Sequence, residues 1–583
     1  MTDYFEVHER DGAARLAELR LPESRETPAL VDDVREDAGS LWAREREVPA
    51  GEESALTILP HRAFPGGTPD EVQEAFAVDY PDLDGPSAAV VSPETADDYG
   101  TDAYVLSNAQ ELAGHARAFV EGLIDTRESI PADAGLYLSG VATPANVSIL
   151  AYAGVDLLDA DHAVVKGTQG KYLTTDGERF LEDIEELPCS CPACQVPREE
   201  FGREDCAAHN EHALQTELRR VRRRIREGRL RDYVEGQARH EQWHTAVMRR
   251  LDQQYGHLEQ RTPVVRQAEL TAATDDTLNR VEIQRFAERV TTRYQNRFDN
   301  PLVLVPCSAR KPYSESQSHG QFHDAIQFRA HTVSMTSPIG VVPQELELTY
   351  PAQHYDTVVT GEWTPTEREF VANVLEAYLD RNDYPRIVAH VPEGGYRDIC
   401  ERVEDSLGLD FEYTVVDHPT ATESLSNLAS TVSDALKYSK RERQHNTIRA
   451  VADYQFGEGA GDELFGEFRT GARYPKLRVN SNDGEQLAML VAQYGVLSLT
   501  LAGARRWVDS DVPTKQIEID GFVPHGSVLA PGVRDASPEI RPGDEVVIEG
   551  PKAFAIGRAN MSGPAMVESS RGIASSVRHV TEQ

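Results

Sequence analysis

The stretch Leu302-Val303-Leu304-Val305-Pro306-Cys307-Ser308-Ala309-Arg310-Lys311-Pro312-Tyr313 decides how this chain is read. Four consecutive apolar residues, two of them β-branched, make a buried strand. A strand that ends in Pro-Cys-Ser sets a thiol and a hydroxyl at its carboxyl edge, where open α/β sheets bind ligands. Lysine is scarce, eight in 583 residues, and cysteine scarcer at six, yet this one segment holds one of each. With Ser314, Ser316, Ser318 and His319 following, the segment reads as a site rather than as a solvated loop.

Outward from that strand, length and composition set the frame. At 583 residues, 40% of them hydrophobic, the chain holds several cores. No apolar run reaches the ~18 residues of a membrane span, and the acidic start Met1-Thr2-Asp3-Tyr4-Phe5-Glu6 carries no signal-peptide pattern. A cytoplasmic protein without membrane association is expected. Aspartate and glutamate number 97 against 59 lysines and arginines, a net charge of −38. Carboxylates spread along the whole chain, with lysine nearly absent, fit a protein working at high salt. There screening cuts self-repulsion to a range of about 3 Å at 1 M. The same screening weakens phosphate attraction, so a nucleic-acid partner would be held more by shape and hydrogen bonds.

Further along, Asn108 to Leu123 reads as a helix. Leu136-Tyr137-Leu138 is a strand, Thr143 to Ala153 a helix capped by Thr143, and Gly154 to Asp159 a second strand ending in an acid. That β-α-β rhythm fits a parallel barrel with functional groups at strand carboxyl ends. Cys189, Cys191 and Cys194 then crowd together, with Cys206, His209 and His212 downstream. Three thiolates and one further soft ligand fit a closed tetrahedral zinc site of structural type, its fourth ligand contested between His209 and Cys206. A helix over Glu217 to Tyr233 carries a block of arginines, expected to contact phosphate.

The run Thr336 to Asp356, with Glu345, Glu347, His354 and Tyr355, reads as a ligand-lining loop. Helical Lys437 to Phe456 precedes a glycine-rich break at Gly457 to Asp462. Short strands with turn signals fill the last 77 residues, 507–583, as in a small β-barrel.

Several segments resemble known families. Ser527 to Val533, Arg541-Pro542-Gly543-Asp544 and Gly557 to Met561 resemble a PUA domain, an RNA-binding barrel. Residues 154–210 are similar to the archaeal tRNA-guanine transglycosylases, with Ala208-His209-Asn210 where that family has its histidine ligand. Ala452 to Gly457 looks like that family's module before the PUA domain. Two departures stand out. The Asp-Ser-Gly-(Gly/Ala)-Phe-Gln motif of base exchange is missing from the N-terminal region, and the spacing from Cys194 to the histidine is shorter. Asp159 lies at the nucleophile's position as a vestigial nucleophile, flanked by Ala160-Asp161-His162. The inserted domain, Pro306-Cys307-Ser308 through Lys311-Pro312-Tyr313 and His319, resembles the archaeosine synthase family, paralogues of the transglycosylases.

That resemblance implies an α/β multidomain enzyme. A transglycosylase-like (β/α) barrel-type domain with its zinc segment 189–212 is expected over 1–245, and a helical linker over 246–281. A central α/β catalytic domain would fill 282–435, a small α/β module 436–506 and the PUA domain 507–583. The implied substrate is tRNA carrying 7-cyano-7-deazaguanine at position 15 of the D-loop. Its nitrile would take an amine from glutamine or lysine and become an amidine. A radical-SAM lyase would be a separate partner, and a homodimer would form through the zinc-containing domain. In this reading Cys307 attacks the nitrile, with Ser308, Lys311 and His319 beside it as catalytic groups and His319 moving protons. Arg310, Tyr313, Ser316, Glu345, Glu347, His354 and Tyr355 would bind substrate, with Lys311 or Arg310 holding a phosphate or carboxylate. Cys189, Cys191, Cys194 and His209 would hold zinc. The rival readings are a non-catalytic tRNA-binding scaffold and a transglycosylase exchanging the base.

Overall fold

The computed structural model describes residues 2–37, 51–59, 68–69, 71–72, 83, 85–98, 100–358 and 362–583. It divides into two units, Met1–Thr262 with Leu529–Val533 and Met561–Ala574, and Pro263–Val528 with Arg534–Asn560 and Ser575–Gln583.

The first unit opens with an antiparallel hairpin, β1 (Phe5–Asp11) and β2 (Ala14–Leu19), joined by β3 (Arg25–Glu26). A seven-stranded parallel sheet follows. Its members are β4 (Ala29–Leu30), β5 (Arg35–Asp37), β6 (Leu56–Ile58), β7 (Ser87–Val91), β8 (Ala103–Leu106), β9 (Gly135–Leu138) and β10 (Leu157–Leu158). Neighbours in the sheet run β4-β10-β9-β8-β7-β6-β5. The two ends, β4 and β5, are consecutive in the chain. Val31 N donates to Leu158 O at 3.0 Å and Leu56 N to Val34 O at 2.8 Å, so the bent segment 29–37 closes the sheet into a ring. Side chains alternate as strands require. Ala103, Val105, Tyr137 and Leu157 share a core with Phe5 and Val7, while Tyr104, Leu106, Leu136 and Leu138 pack with the surrounding helices.

Local boundaries differ from expectation where glycines intervene. The helix expected over Asn108–Leu123 is two helices, Ala109–Leu112 and α1 (Ala116–Ser129), parted at Gly114. The helix after Thr143 is α2 (Val147–Tyr152), although Thr143 Oγ1 still accepts from Asn146 N at 3.2 Å. Beyond β10 come α3 (Asp161–Thr168), the hairpin β11 (Lys171–Thr174) and β12 (Gly177–Phe180), and the long α4 (Arg203–Arg226). The expected Glu217–Tyr233 helix breaks after α4, at Gly228 with φ +64°, and resumes as α5 (Leu230–Gln237).

Of the expected helical linker, the α-helical part ends at Arg261 in the first unit; in the second unit Leu270–Ala272 is a strand paired in parallel with Tyr355–Thr357, followed by a short 3-10 helix, Asp275–Asn279. The central sheet has β13 (Leu302–Pro306), β14 (His331–Thr336), β15 (Gly340–Pro343), β16 (Ile387–Ala389) and β17 (Phe411–Tyr413), in the order β15-β14-β13-β16-β17. Only β15 is antiparallel. Helices α6 (Gln317–Ile326), α7 (Pro365–Arg381) and α8 (Gly395–Leu407) connect them. Next, α9 (Lys440–Phe456) begins at Ser439, whose side chain and that of Glu442 cap each other's backbone N–H. A four-stranded antiparallel meander from Arg469 to Leu499 follows. The last strands, from Gln516 to Glu582, form a six-stranded sheet. No helix among the described residues is long and apolar enough to cross a membrane.

Candidate functional site

The strand order of the central sheet fixes where a site can form. From β13 the chain moves one way to β14 and β15, then returns past β13 to β16 and β17. The connections therefore diverge between β13 and β16, which opens a crevice at the carboxyl ends of those two strands. Cys307 directly follows β13, and its N–H donates to Met335 O at 3.1 Å, one residue short of the end of β14. On the other side, β16 runs into Gly394, whose φ of +85° is open to glycine alone at little cost. That turn starts α8 at once and brings Tyr396 over the crevice. Its hydroxyl lies 3.3 Å from Cys307 Sγ, and its ring packs on Trp363 at 4.4 Å between centroids. Burial and the neighbouring thiol push the Tyr396 hydroxyl well above the ordinary phenol range.

Three of the anticipated residues join this cluster through aromatic rings. The Lys311 ammonium sits 3.8 Å from the centroid of the Tyr355 ring, a cation–π contact. Burial lowers its pKa, opposed by Cys307, Asp356 and Glu269. Tyr355 Oη in turn bonds Tyr313 Oη at 2.6 Å and Thr336 Oγ1 at 2.7 Å. Glu347 braces the loop, accepting from Ser314 N at 2.8 Å and from Tyr474 Oη at 2.5 Å.

The other anticipated residues do different work. His319 Nε2 bonds Pro306 O at 3.1 Å, its ring stacks on Tyr313, and burial holds its pKa down to about 4. It is therefore a neutral brace of the strand end. Ser316 caps α6 through His319 N, and Ser308 Oγ donates to Arg310 O at 2.8 Å. Arg310 pairs with Glu315 at 2.8 Å in the open. Glu345, 2% exposed, belongs to a separate buried network with His331 at 3.0 Å and Tyr294 at 3.2 Å. His354 is half-buried against Tyr350. The run from Thr336 is accordingly a strand and buried core up to Ala352, not an open ligand-lining loop. Tyr396 was not anticipated. The signal for it is the Gly394-Gly395 pair just beyond a buried strand, a turn composition where backbone and ligand approach closely.

The first unit holds a second constellation. The ligand atoms of Cys189, Cys191, Cys194 and His209 all lie within 4.8 Å of one another. His209 Nδ1 is 3.5 Å from Cys191 Sγ and 3.4 Å from Cys194 Sγ. Its Nε2 bonds Leu173 O at 2.9 Å, which places the ring proton there and leaves the Nδ1 lone pair facing the thiols. Tyr172 stacks on the imidazole at 3.7 Å. The contest for fourth ligand is decided in this geometry for His209. Cys206, one turn earlier on α4, is fully buried among Tyr172, Ile184 and Phe201. Such a donor set is suited to a metal ion.

Asp159 stands at the carboxyl end of β10, fully buried. Its carboxylate accepts from Gly140 N at 2.9 Å and Tyr137 Oη at 2.8 Å, and pairs with Arg35 at 3.3 Å. Most of the arginine block, likewise, is paired within its own unit. Arg220 pairs with Glu217, Arg222 and Arg226 with Glu26, Arg223 and Arg224 with Glu227, and Arg231 with Glu235 and Asp252. In so acidic a chain those cations neutralise carboxylates of their own unit.

Family models match four segments. One described as queuine tRNA-ribosyltransferase covers residues 80–242, and a domain of unknown function covers 283–432. The patch-forming domain C2 of tRNA-guanine transglycosylase covers 446–513, and a PUA domain 520–581. The chain is 65% identical to the archaeosine synthase of Haloferax volcanii over 100% of both chains. It is 43% identical to archaeosine synthase subunit alpha of Methanosarcina acetivorans, again over 100% of both. With that subunit of Thermococcus kodakarensis it shares 30% identity over 98% of this chain and 100% of the other.

Proposed function

Because the chain belongs to the archaeosine synthase family, we propose that it modifies tRNA in archaeosine formation, adding an amine to the nitrile of 7-cyano-7-deazaguanine at position 15. The reaction is assigned to the crevice between β13 and β16. One observation carries that assignment. Of the three cysteines outside the metal cluster, Cys206 and Cys400 are buried and Cys307 alone is accessible, at the switch point of the sheet.

A nitrile carbon is electrophilic, and a thiol adds to it readily once positioned. Cys307 Sγ forms a bond to that carbon, the triple bond becomes a double bond, and a proton reaches the nitrogen. The incoming amine then attacks the same carbon. Its bond to sulfur breaks, the thiolate recovers a proton, and an amidine remains. No oxidant or reductant enters. Lys311, held over Tyr355, supplies positive charge beside the crevice for the donor's carboxylate or a tRNA phosphate.

The barrel is assigned no base exchange, since the Asp159 carboxylate is already engaged by Gly140, Tyr137 and Arg35. Cys189, Cys191, Cys194 and His209 are proposed to hold zinc, which suits three thiolates and an imidazole. Four protein ligands leave no position for a catalytic water, so the ion would act on folding, not chemistry. The PUA domain is proposed to grip the tRNA. A radical-SAM lyase is the further partner that a lysine adduct would need, and self-association is proposed for the cysteine-bearing domain.

The test uses the full chain at molar salt with tRNA bearing the nitrile base and no amine. A covalent adduct on Cys307, absent in Cys307→Ala, is expected by mass. Adding glutamine, lysine or ammonium in separate reactions identifies the donor from the nucleoside mass. Near-normal turnover by Cys307→Ala would rule out the covalent route, and tRNA binding without reaction under every donor would favour a scaffold.

A further inference from the structure

We propose that Tyr396 is a catalytic residue of this site, its hydroxyl relaying the Cys307 proton to the nitrile nitrogen as the carbon–sulfur bond forms. The inference rests on the reading of Cys307 as nucleophile. A thiol adding across a nitrile must lose its proton from sulfur while the nitrogen, one bond beyond the attacked carbon, gains one. A group that accepts at one lone pair and donates its own proton at the other joins them without either charge building up.

The geometry selects the residue. The Tyr396 hydroxyl is 3.3 Å from Sγ, and burial with the neighbouring thiol keeps it protonated. The other groups nearby are committed elsewhere. His319 Nε2 is bound to Pro306 O, Ser308 Oγ donates to Arg310 O, and the Lys311 ammonium, over Tyr355, is assigned to the donor's carboxylate or a phosphate. Tyr313 and Tyr355 bond each other and Thr336. Tyr396 is also held from behind by Trp363, and placed by the glycine turn at Gly394. In the step, the thiol proton passes to the phenolic oxygen as the phenolic proton passes to nitrogen. The tyrosine ends as it began, and the product is the thioimide.

The experiment compares the wild type with Tyr396→Phe, which keeps the ring and its packing. Thioimide formation on nitrile-bearing tRNA is followed in a single turnover at saturating protein, beside tRNA affinity and the rate of Cys307 alkylation by iodoacetamide. The expected result is a fall of about 10²-fold or more in adduct formation, with tRNA affinity and alkylation changed less than about threefold. Equal adduct rates in the two proteins overturn the relay. A wild type that forms no adduct at all instead defeats the nucleophile assignment, so the two failures are distinguishable. A second measurement needs no variant. Adduct formation by the wild type in mixtures of light and heavy water should fall along a curve, as two protons in flight require. A straight line refutes the relay.

Discussion

Replacing Asn210 with alanine tests how the metal cluster is held, because this side chain ties together the elements around it. Asn210 follows the ligand His209 on α4 and is fully buried. Its Oδ1 accepts from Leu173 N at 2.8 Å, and its Nδ2 donates to Ala163 O and Lys171 O, both at 2.9 Å. It thereby fastens β11 and α3 to α4, and β11 carries the Leu173 carbonyl that orients His209. Alanine removes three hydrogen bonds and strands their three backbone partners at about 1–3 kcal/mol apiece, so the cost is about 3–9 kcal/mol in all. With Leu173 N–H no longer held, the strand that carries Leu173 O is loosened, the imidazole loses a firm brace, and metal affinity should fall about 10–100-fold. Chelator competition against the zinc-loaded protein reads the second quantity. Hydrogen exchange at Leu173 N–H reads the first locally, which suits a chain with several cores. His212→Ala is the control, since His212 lies outside the ligand set and should leave both unchanged. If Asn210→Ala keeps the wild-type metal affinity and Leu173 protection, the second-sphere argument is wrong.

Two further outcomes follow from buried charge. Glu545, 3% exposed, pairs with Arg578 and accepts from Leu499 N at 2.7 Å, and burial raises its pKa. Arg578→Ala should cost about 3 kcal/mol at neutral pH by stranding the carboxylate. A raised carboxyl pKa favours the folded state in acid, so that deficit should shrink as pH falls; denaturation midpoints at pH 7 and pH 5 measure it, and a constant deficit would contradict the assignment. Burial also holds His244, His319 and His390 down to about 4. The unfolded chain takes up these protons near pH 6.5. Stability should therefore be full above pH 6.5 and decline as pH falls toward 4, with proton uptake on unfolding measurable at pH 5.5.

Much of the site was legible in the residues, and the remainder was hidden for identifiable reasons. A strand over Leu302–Val305 with Cys307 at its end follows from the apolar run alone, and three clustered thiols follow from the spacing of Cys189, Cys191 and Cys194. The fourth ligand does not follow, because Cys206 and His209 are three residues apart and share a face of α4; only tertiary packing buries one among Phe201 and Ile184 and points the other at the thiols. Glu345 and Glu347 illustrate the same limit. Two residues apart, with the same chemistry, one is consumed by His331 and the other braces Ser314. The arginines after Glu217 read as phosphate contacts until the fold supplied their carboxylates, Glu26 from 196 to 200 positions away among them.

Tyr396 shows where reading along a chain stops. It lies 89 positions from Cys307, and no local pattern joins them. What joins them is topology, since β13 and β16 are adjacent parallel strands and everything beyond their carboxyl ends converges. The pairing Leu302↔Ile387, Val303↔Val388 and Leu304↔Ala389 sets the register. The strand continues past that pairing to Pro306 and then Cys307, while the partner turns at Gly394 into α8. Position 396, in the first turn of that helix, is where a side chain meets the thiol. A tyrosine there brings a hydroxyl that burial keeps protonated beside the one accessible thiol outside the metal cluster. Cys307 and Tyr396 are thus two residues that the sheet, not the sequence neighbourhood, makes into a pair.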